Sequence, residues 1–238
     1  MASGIFVTGT GTGVGKTFVS RAITAAMRAR AERVVALKPI ETGWDASNAD
    51  AVVLATACGK SQLAHAAGLY RADEPLAPYA IQLLGSRPPL DTKALTLVVQ
   101  KLSADSEFVV IEGAGGFHVP LNPKDTIADF AEQLALPILL VSQNALGVLS
   151  DVLSTVEGIQ QRSLRLAAVV LTPAPAQDQS VMHNQQILAE RLDVPVICFP
   201  QCAADDAELA AAAARCGLME MWPISGNTLR LQPNPSRV

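Results

Sequence analysis

The chain has 238 residues, of which 50% are hydrophobic and 17% charged, and its formal net charge at pH 7 is -4. This balance excludes an intrinsically disordered chain, because it supplies enough apolar side chains for a sizeable buried core. The acidic charge, the absence of a basic stripe and an aromatic content of 4% argue against a nucleic-acid-binding protein.

The N-terminus and the cysteine usage indicate the compartment. The first residues form no basic region followed by a long apolar stretch, so they predict a first strand rather than a secretion signal. No apolar run approaches the length of about 18 residues that a membrane span needs. The cysteines form no C-x-x-C pair and the histidines are scattered, which favours reduced thiols over a zinc site. We therefore expect a cytoplasmic protein with no nucleic-acid or membrane partner.

Short β-rich runs alternate with stretches of helical length along the chain. Strands are predicted at residues 5–8, 33–38, 108–112, 137–142, 166–172 and 194–199. Helices are predicted at residues 16–30, 48–59, 91–103, 126–134, 147–161, 179–192 and 205–215. Several strands are continuous apolar runs, which is typical of strands covered on both faces. The pattern predicts an α/β fold, a mostly parallel sheet with helices on both faces.

Two stretches are less regular than the rest. Residues 69–89 contain four prolines and read as a loop-rich excursion with at most one short helix. Residues 222–238 form a loose tail rich in Pro, Asn and Ser. Each could serve as a lid, a dimer contact or a loose end. Neither resembles a linker between two cores, so residues 1–238 are expected to form a single domain.

A glycine-rich loop between the first strand and the first helix carries the strongest functional signal. It reads Gly9-Thr10-Gly11-Thr12-Gly13-Val14-Gly15-Lys16-Thr17. Glycines let the backbone aim its N–H groups at phosphate oxygens, and the helix N-terminus adds partial positive charge. Lys16 can reach the β- and γ-phosphates, and the Thr17 hydroxyl can bind Mg²⁺. The usual phosphate-loop spacing puts the first glycine where Thr10 stands, one residue after Gly9. The context nevertheless predicts a P-loop nucleotide-binding fold.

Three charged residues further along the chain are candidates for the same site. Lys38 follows the second strand, where ligands of open parallel sheets bind, although a solvated lysine at a strand end is equally compatible. Glu112 ends an apolar strand before a glycine-rich turn and suits a Mg²⁺-nucleotide site better than a surface position. Asp50 begins a predicted helix, where it could bind metal or merely cap the helix.

A fourth feature is the helix start at residues 147–150. Its amides could bind a carboxylate, or the segment could be an ordinary junction between a loop and a helix.

Together these segments resemble the dethiobiotin synthetase family. The matching pieces are Phe6-Val7-Thr8-Gly9-Thr10, Val14-Gly15-Lys16-Thr17, Lys38-Pro39, Thr42-Gly43, Asn48-Ala49-Asp50-Ala51, Val110-Ile111-Glu112-Gly113-Ala114-Gly115-Gly116, Pro120-Leu121 and Leu146-Gly147. They occur in the family's order, and the extra residue in the phosphate loop is what this family's loop has. The set is specific, whereas any single piece is not.

The resemblance implies an ATP-dependent ligase of biotin synthesis. Such enzymes convert 7,8-diaminononanoate, CO₂ and ATP into dethiobiotin, ADP and phosphate, with Mg²⁺. One amine becomes a carbamate, the γ-phosphoryl group moves to it, and the second amine then closes a cyclic urea. The resemblance also implies a homodimer in which the substrate tail reaches the partner subunit.

The family's roles transfer to matching positions of this chain. For catalysis the resemblance implies Lys16, Lys38 and Thr12. For nucleotide binding it implies Gly13, Val14, Gly15, Lys16, Thr17, Phe18, Asp50, Glu112, Gly113, Ala114, Gly115, Thr172, Pro200, Gln201 and Cys202. For Mg²⁺ it implies Thr17, Asp50 and Glu112. For the substrate it implies Thr42 and, across the dimer, Gly147, Val148, Leu149 and Ser150.

The chain departs from the family pattern at two places. Gly13 stands where members often have an acid. Thr172-Pro173 stands where many members carry Asn-Asp to read the adenine, and it cannot copy the paired donor and acceptor of an amide. ATP remains the expected nucleotide, with CTP or GTP also accepted and the backbone of residues 200–202 contacting the base.

Two other protein classes carry a similar loop. A synthetase of the cobyrinic-acid amidation type needs a glutamine-hydrolysing domain, for which no room remains. A nucleotide-switch ATPase of the partition or division-site type uses a second lysine inside the loop, and residues 10–13 contain none. The switch ATPase is the alternative to the synthetase.

Overall fold

The computed structural model describes residues 3–30, 32–47, 49–174 and 181–222. Its strands are β1 (Ser3–Gly9), β2 (Val34–Leu37), β3 (Ile40–Thr42), β4 (Tyr70–Ala72), β5 (Phe108–Glu112), β6 (Ile138–Asn144), β7 (Leu166–Pro173) and β8 (Val196–Cys198). Its helices are α1 (Lys16–Ala29), α2 (Asp50–Ala57), α3 (Pro78–Leu83), α4 (Thr92–Leu102), α5 (Ile127–Leu134), α6 (Val148–Gln161), α7 (Asn184–Arg191) and α8 (Asp206–Arg215). Short 3-10 helices cover Ser61–His65 and Leu218–Met221.

The main sheet has six parallel strands in the order β2-β5-β1-β6-β7-β8. Every residue of β2 and β5 is buried, and so is every residue of β1 after Ser3. Because successive side chains of a strand point to opposite faces, this burial requires cover on both faces of the sheet. The predicted α/β fold with a mostly parallel sheet and helices around it is confirmed.

The parallel order brings the chemically distinctive segments to one edge. The strands β2, β5 and β1 are neighbours, with Leu37 opposite Ile111 and Val7 opposite Glu112. Their carboxyl ends therefore meet, and each continues directly into a segment singled out in the sequence. The phosphate loop follows β1, Lys38 follows β2, and Glu112 ends β5.

A second, two-stranded parallel sheet pairs β3 with β4 and was not predicted. Each of its strands has only three residues, which is too short for an alternating or continuous apolar pattern to stand out. The helix α3 is the one short helix that the proline-rich stretch 69–89 allowed, and its Pro78 stands in the first turn. This stretch is therefore more regular than its composition indicates.

Some predicted boundaries shift or fall outside the described residues. The helix predicted at 179–192 is described from Asn184 to Arg191, and residues 179–180 are not described. The predicted helix start at residue 48 is also not described, and α2 begins at Asp50. Of the predicted tail only Trp222 is described, with its ring centroid 5.4 Å from that of Phe108. Residues 223–238 lie outside the described part of the chain.

The helices α5 and α6 are joined by a polar contact at their ends. Thr126 caps α5, and the Asp129 carboxylate accepts from the Thr126 N–H and hydroxyl at 2.7 and 2.6 Å. Arg162, at the end of α6, donates to Asp129 at 2.8 Å. Partial burial opposes ionisation, but the Thr126 bonds and the Arg162 guanidinium outweigh it and hold the pKa of Asp129 below its usual range. Among the described residues, no helix is long and apolar enough to span a membrane.

Candidate active site

The phosphate loop between β1 and α1 has the backbone geometry of an anion-binding turn. Gly13 and Gly15 have φ angles of 75° and 91°, in the left-handed region that favours glycine. Gly15 occupies the N-cap position of α1, and within the described residues no side chain caps this helix. The first amides of α1 are therefore left without a side-chain acceptor, as an anion-binding helix start requires.

Packing explains the displaced glycine of the loop. A Cβ atom at Gly9 would lie 2.7 Å from Val14 Cγ2 and 3.2 Å from Lys16 Cδ, so a side chain there would push the loop apart. Thr10, at the usual glycine position, instead forms a hydrogen bond between its hydroxyl and that of Ser142, at 2.8 Å. The loop thus needs glycine at position 9 and uses the Thr10 side chain as an anchor to β6.

A second strand anchors the other end of the loop. The buried Thr172 hydroxyl, on β7, donates to the Val14 carbonyl at 2.8 Å. A Cβ atom at Gly15 would meet Thr172 Cγ2 at 2.9 Å. Thr172, which the resemblance assigns to nucleotide binding, donates its hydroxyl proton to the phosphate loop. Sequence reasoning missed this contact because it joins residues 158 positions apart.

Lys16 carries an ammonium group with no countercharge in contact. Its Nζ donates to the Gly11 carbonyl at 2.8 Å, and its side chain is buried. Among the described residues, no carboxylate lies within 4.0 Å of this ammonium. Burial lowers the pKa of Lys16 to about 8, with Glu112 raising it and Lys38 lowering it further. An anionic phosphate would supply the missing countercharge.

Lys38 points into the site rather than into solvent, which decides between its two interpretations. It is 8% exposed, and its Nζ donates to the Asp50 carboxylate and to Glu112 Oε1, the latter at 3.0 Å. Burial alone would lower the pKa of Lys38, but Glu112 and then Asp50 outweigh it and raise the pKa above its ordinary value. The ammonium therefore stays charged between two acids.

Glu112 is fully buried, so the interpretation as a surface acid is wrong. Its Oε1 accepts from the Thr17 hydroxyl at 2.8 Å and from Lys38. Its Oε2 is buried and has no hydrogen-bond partner within the described part of the chain. A buried, unpartnered carboxylate oxygen is costly unless a ligand completes it.

Asp50 does not cap α2, so its interpretation as a capping residue is wrong as well. The N-cap residue is Ala49, and the Asp50 carboxylate contacts Lys38. The capping function belongs to Glu41, whose carboxylate accepts from the amides of Asp50 and Ala51 at 2.7 and 3.1 Å. Sequence reasoning missed Glu41 because it lies in the unpredicted strand β3. The only available signal was a charged residue between Lys38-Pro39 and Thr42-Gly43.

The turn after β5 packs against the phosphate loop. A Cβ atom at Gly116 would lie 3.1 Å from the Thr10 carbonyl, and one at Gly115 would lie 3.6 Å from the Thr12 hydroxyl. Gly113 extends the hydrogen bonding between β5 and β1 by donating its N–H to the Val7 carbonyl at 2.9 Å. The half-buried Ala114 lies in the same turn. Small residues thus allow close approach beside a cavity of about 360 Å³, which the exposed Thr12 helps to line.

The segment at residues 200–202 directly follows Phe199, which packs on the first turn of α1. The ring centroid of Phe199 is 5.5 Å from that of Phe18. Pro200 and Cys202 are half-buried and Gln201 is exposed. This position beside the helix start is compatible with the expected contact of this segment with the nucleotide.

The expected substrate residues are not joined to the charged cluster. Thr42 ends β3 and is half-buried, and Gly147 is the N-cap of α6 with a φ angle of 97°. The Val148 amide is already used by the Ala145 carbonyl at 3.1 Å, whereas Leu149 is half-buried and Ser150 exposed. Within the described residues, no hydrogen bond or ion pair links these positions to Lys38. Of the site residues predicted from the sequence, the structure instead brings together the charged and metal-binding candidates, which are Lys16, Thr17, Lys38, Asp50 and Glu112.

Comparisons with known proteins identify the family. A family model described as an AAA domain matches residues 3–201. A curated protein of Anaeromyxobacter dehalogenans (strain 2CP-C), named ATP-dependent dethiobiotin synthetase BioD, is 38% identical over 188 residues, which cover 78% of this chain and 84% of that protein. A protein of the same name from Caulobacter sp. (strain K31) is 36% identical over 211 residues, 85% of this chain and 90% of its own. The chain belongs to the dethiobiotin synthetase family.

Membership of the dethiobiotin synthetase family confirms the resemblance and disfavours the nucleotide-switch ATPase. Solved structures support the fold alone. Cobyrinic acid a,c-diamide synthase from Mycobacterium smegmatis, solved with ADP and magnesium, is 18% identical, with a TM-score of 0.55 over 92% of this chain and 96% of that one. This similarity agrees with a P-loop nucleotide-binding architecture for the dethiobiotin synthetase family.

Proposed function

We propose that this chain catalyses the Mg-ATP-dependent carboxylation and ring closure of 7,8-diaminononanoate to dethiobiotin. The observation that carries the proposal is the position of Lys38, a buried ammonium beside Asp50 and Glu112 at the strand ends that adjoin the phosphate loop. Lys16 supplies a second buried ammonium from the loop itself. Two such groups suit the transfer of a phosphoryl group between two anions. The printed names of the relatives support the choice of reaction.

The proposed reaction proceeds through three bond changes. One amine of the substrate adds to CO₂, forms a C–N bond and loses a proton, which gives a carbamate. A carbamate oxygen then attacks the γ-phosphorus of ATP, and the bond to the ADP oxygen breaks. The second amine attacks the carbonyl carbon of this mixed anhydride, loses a proton and expels phosphate. The products are a cyclic urea, ADP and phosphate, so atoms and charge balance without a further reactant.

The residues of the chain act by positioning and by charge stabilisation. The amides at the start of α1 and the Lys16 ammonium bind the phosphates, since no carboxylate of the described part of the chain is bonded to either. The Lys38 ammonium stabilises the negative charge shared by the carbamate and the transferring group. Thr12, exposed beside the cavity of about 360 Å³, contacts the same group. Thr42 offers a hydroxyl to the substrate amines.

The donor set of the cluster fits Mg²⁺. Glu112 Oε2 is buried and has no hydrogen-bond partner among the described residues. The Thr17 hydroxyl donates to the same carboxylate, and Asp50 and Glu112 both accept from Lys38. All three donors are hard oxygens, which Mg²⁺ prefers. Thr17, Asp50 and Glu112 would hold the ion, and when bound it would neutralise phosphate charge. The two ammonium groups and two carboxylates of the cluster cancel, so they leave the triphosphate charge to be compensated by a cation.

For the nucleotide base we propose ATP with relaxed selectivity. The Thr172 hydroxyl donates its proton to Val14, so it can offer a base only an acceptor and cannot copy the paired donor and acceptor of an amide. Backbone groups of residues 200–202, which follow the Phe199 that packs on Phe18, would contact the base. Backbone contacts discriminate less between bases than a side-chain amide does, so CTP and GTP should also serve.

For the substrate tail we propose a homodimer in which the start of α6 faces the partner copy. This helix begins without a side-chain cap among the described residues, which suits a carboxylate. The adjacent Leu146 is 83% exposed, an apolar surface that a partner would cover. Asp151, in the first turn of the same helix, would repel a substrate carboxylate, so the tail would have to bind at residues 147–150 on the side away from this acid.

The test is the direct search for the product. The chain is incubated with MgATP, ¹³C-labelled bicarbonate and 7,8-diaminononanoate, and the mixture is analysed by mass spectrometry. We expect a cyclic urea that carries the label, with phosphate release that requires both the diamine and bicarbonate. Rapid ATP hydrolysis without the diamine, with no labelled product, would contradict the proposal and favour the nucleotide-switch ATPase.

A further inference from the structure

A buried carboxylate outside the set of proposed metal donors holds the start of α2. Glu41 is 6% exposed, and each of its carboxylate oxygens accepts one amide of the first turn of this helix. Oε1 accepts from the Asp50 N–H at 2.7 Å, and Oε2 accepts from the Ala51 N–H at 3.1 Å. Charge-assisted bonds of this kind are stronger than neutral ones, and a negative charge at a helix N-terminus is favourable.

The helix α2 needs this support because it cannot provide its own. Its N-cap residue, Ala49, has no side-chain acceptor, and its first acid, Asp50, is engaged with Lys38. The helix has only eight residues, which is too short for stability by local propensity alone. Without an external acceptor the first turn would fray, and Asp50 stands at its first position.

The chain topology ties this support to the reacting side of the site. Glu41 lies in β3, which follows β2 directly through Lys38 and Pro39. A single short segment therefore carries two groups that contact Asp50. Lys38 contacts the Asp50 carboxylate, and Glu41 contacts the Asp50 backbone amide. Asp50 is held at two points by one piece of chain.

We propose that Glu41 is a positioning residue that fixes the start of α2, so that the Asp50 carboxylate faces Glu112 across the metal site. The inference rests on the proposed function, since it assumes that Asp50 helps to hold Mg²⁺. Glu41 acts on the metal site through Asp50, because its hydrogen bonds go to the amides of Asp50 and Ala51 at the start of α2. Its removal should weaken the response to the metal and leave the phosphate loop intact.

The experiment compares two variants with a matched control. Glu41→Gln keeps the shape but can accept only one of the two amides, and Glu41→Ala accepts neither. The control is Asp91→Ala, because Asp91 accepts two amides at the start of α4, from Lys93 and Ala94, both at 3.0 Å. ADP affinity is measured by calorimetry, once in EDTA and once in excess Mg²⁺, and the ratio of the two affinities is the readout. Thermal unfolding checks that each variant is folded.

The expected results form a graded series. In EDTA all variants should bind ADP within about twofold of the unmodified chain. Glu41→Ala should lose about tenfold of the Mg²⁺ enhancement, the scale seen when a group that orients a metal ligand is removed. The Mg²⁺ enhancement of Glu41→Gln should lie between those of Glu41→Ala and the unmodified chain. Asp91→Ala should unfold at a lower temperature and keep the full enhancement.

The outcomes separate this inference from the proposal on which it rests. An unchanged Mg²⁺ enhancement in Glu41→Ala would overturn the positioning role, and so would an equal loss in Asp91→Ala. If Glu41→Ala fails to fold, Glu41→Gln decides, since an unchanged enhancement there would also overturn the role. Absence of any enhancement in the unmodified chain would instead overturn the proposed metal site, and the inference would fall with it.

Discussion

Removal of the Lys38 charge should strongly destabilise the ligand-free chain. The change is Lys38→Met, which keeps an unbranched apolar stem and removes the ammonium. Glu112 is fully buried, and its Oε1 would keep only the Thr17 hydroxyl as a partner. Breaking a buried ion pair by removing one member costs about 3–5 kcal/mol, because the other charge is left uncompensated. Asp50 contributes less to this cost, since 43% of its side-chain surface is exposed.

The companion variant, Glu112→Gln, should cost less. Lys38 keeps its contact with Asp50 there, so the loss should be about 1–3 kcal/mol, as for a hydrogen bond to a charged group. In the double variant neither buried charge is left alone. Its destabilisation should therefore fall below the sum of the single effects by about 0.5–3 kcal/mol, the coupling expected for contacting residues.

The assay is urea unfolding at pH 7.5, without ligands and at one fixed protein concentration. Strict additivity of the two substitutions, or a Lys38→Met free energy of unfolding within about 1 kcal/mol of the unmodified chain, would refute the argument that these charges are coupled by burial.

The same variant also tests the role of Lys38 in the reaction. The kcat of Lys38→Met should fall far more than its nucleotide affinity, since the ammonium is proposed to act on the transferring group. An unchanged kcat would remove Lys38 from the reaction.

Three further predictions follow from other parts of the chain. Gly15→Ala should abolish tight ADP binding in calorimetry and cost at least about 1–2 kcal/mol, because a φ angle of 91° strains an L-residue and its Cβ would lie 2.9 Å from Thr172 Cγ2. Initial rates with ATP, CTP and GTP should be similar, because the Thr172 hydroxyl is committed to the phosphate loop. Asp129→Asn should destabilise the chain by about 1–2 kcal/mol at pH 7, since it weakens a capping box and an ion pair with Arg162. The pKa of Asp129 is lowered by folding, so this contribution is present above its unfolded pKa and should vanish as the pH falls through the lower folded value.

Each of these three predictions has a control variant or a result that would contradict it. Gly11→Ala should be nearly neutral for stability, because its Cβ would meet nothing within 4 Å. Equal losses of stability in both glycine variants would exclude the steric argument. A strict preference for ATP would show that another contact reads the base. For Asp129→Asn, a loss of stability that stays constant down to acid pH would rule out an ionised carboxylate as its source.

The main sheet could be predicted because its signal is local. Strands such as β1 and β6 are continuous apolar runs, and the glycine-rich loop has to follow a strand and open a helix. Lys38 and Glu112 could be proposed as neighbours because both stand at carboxyl ends of strands in a parallel sheet. Patterns within a few residues were sufficient for these predictions.

The remaining features depend on contacts that no local sequence pattern indicates. Glu41 lies only nine residues before Asp50, but the three-residue strand β3 gives no pattern that places its carboxylate at the start of α2. The contact between Thr172 and Val14 likewise depends on the position of β7 in the strand order. The family pattern assigned Thr172 to the base, whereas its hydroxyl is used by the protein itself.

The supports of the phosphate loop and the charged groups lie on opposite sides of β1. Ser142 and Thr172, which hold the loop, belong to β6 and β7, whereas Lys38 and Glu112 belong to the flank formed by β2 and β5. Substitutions on the first flank can alter the shape of the nucleotide cradle without touching its charge balance. Substitutions of Lys38 or Glu112 on the second flank change the charge balance, although the turn after β5 also packs against the loop. The nucleotide cradle can therefore be reshaped from the flank of β6 and β7 while the charged groups of β2 and β5 stay unchanged.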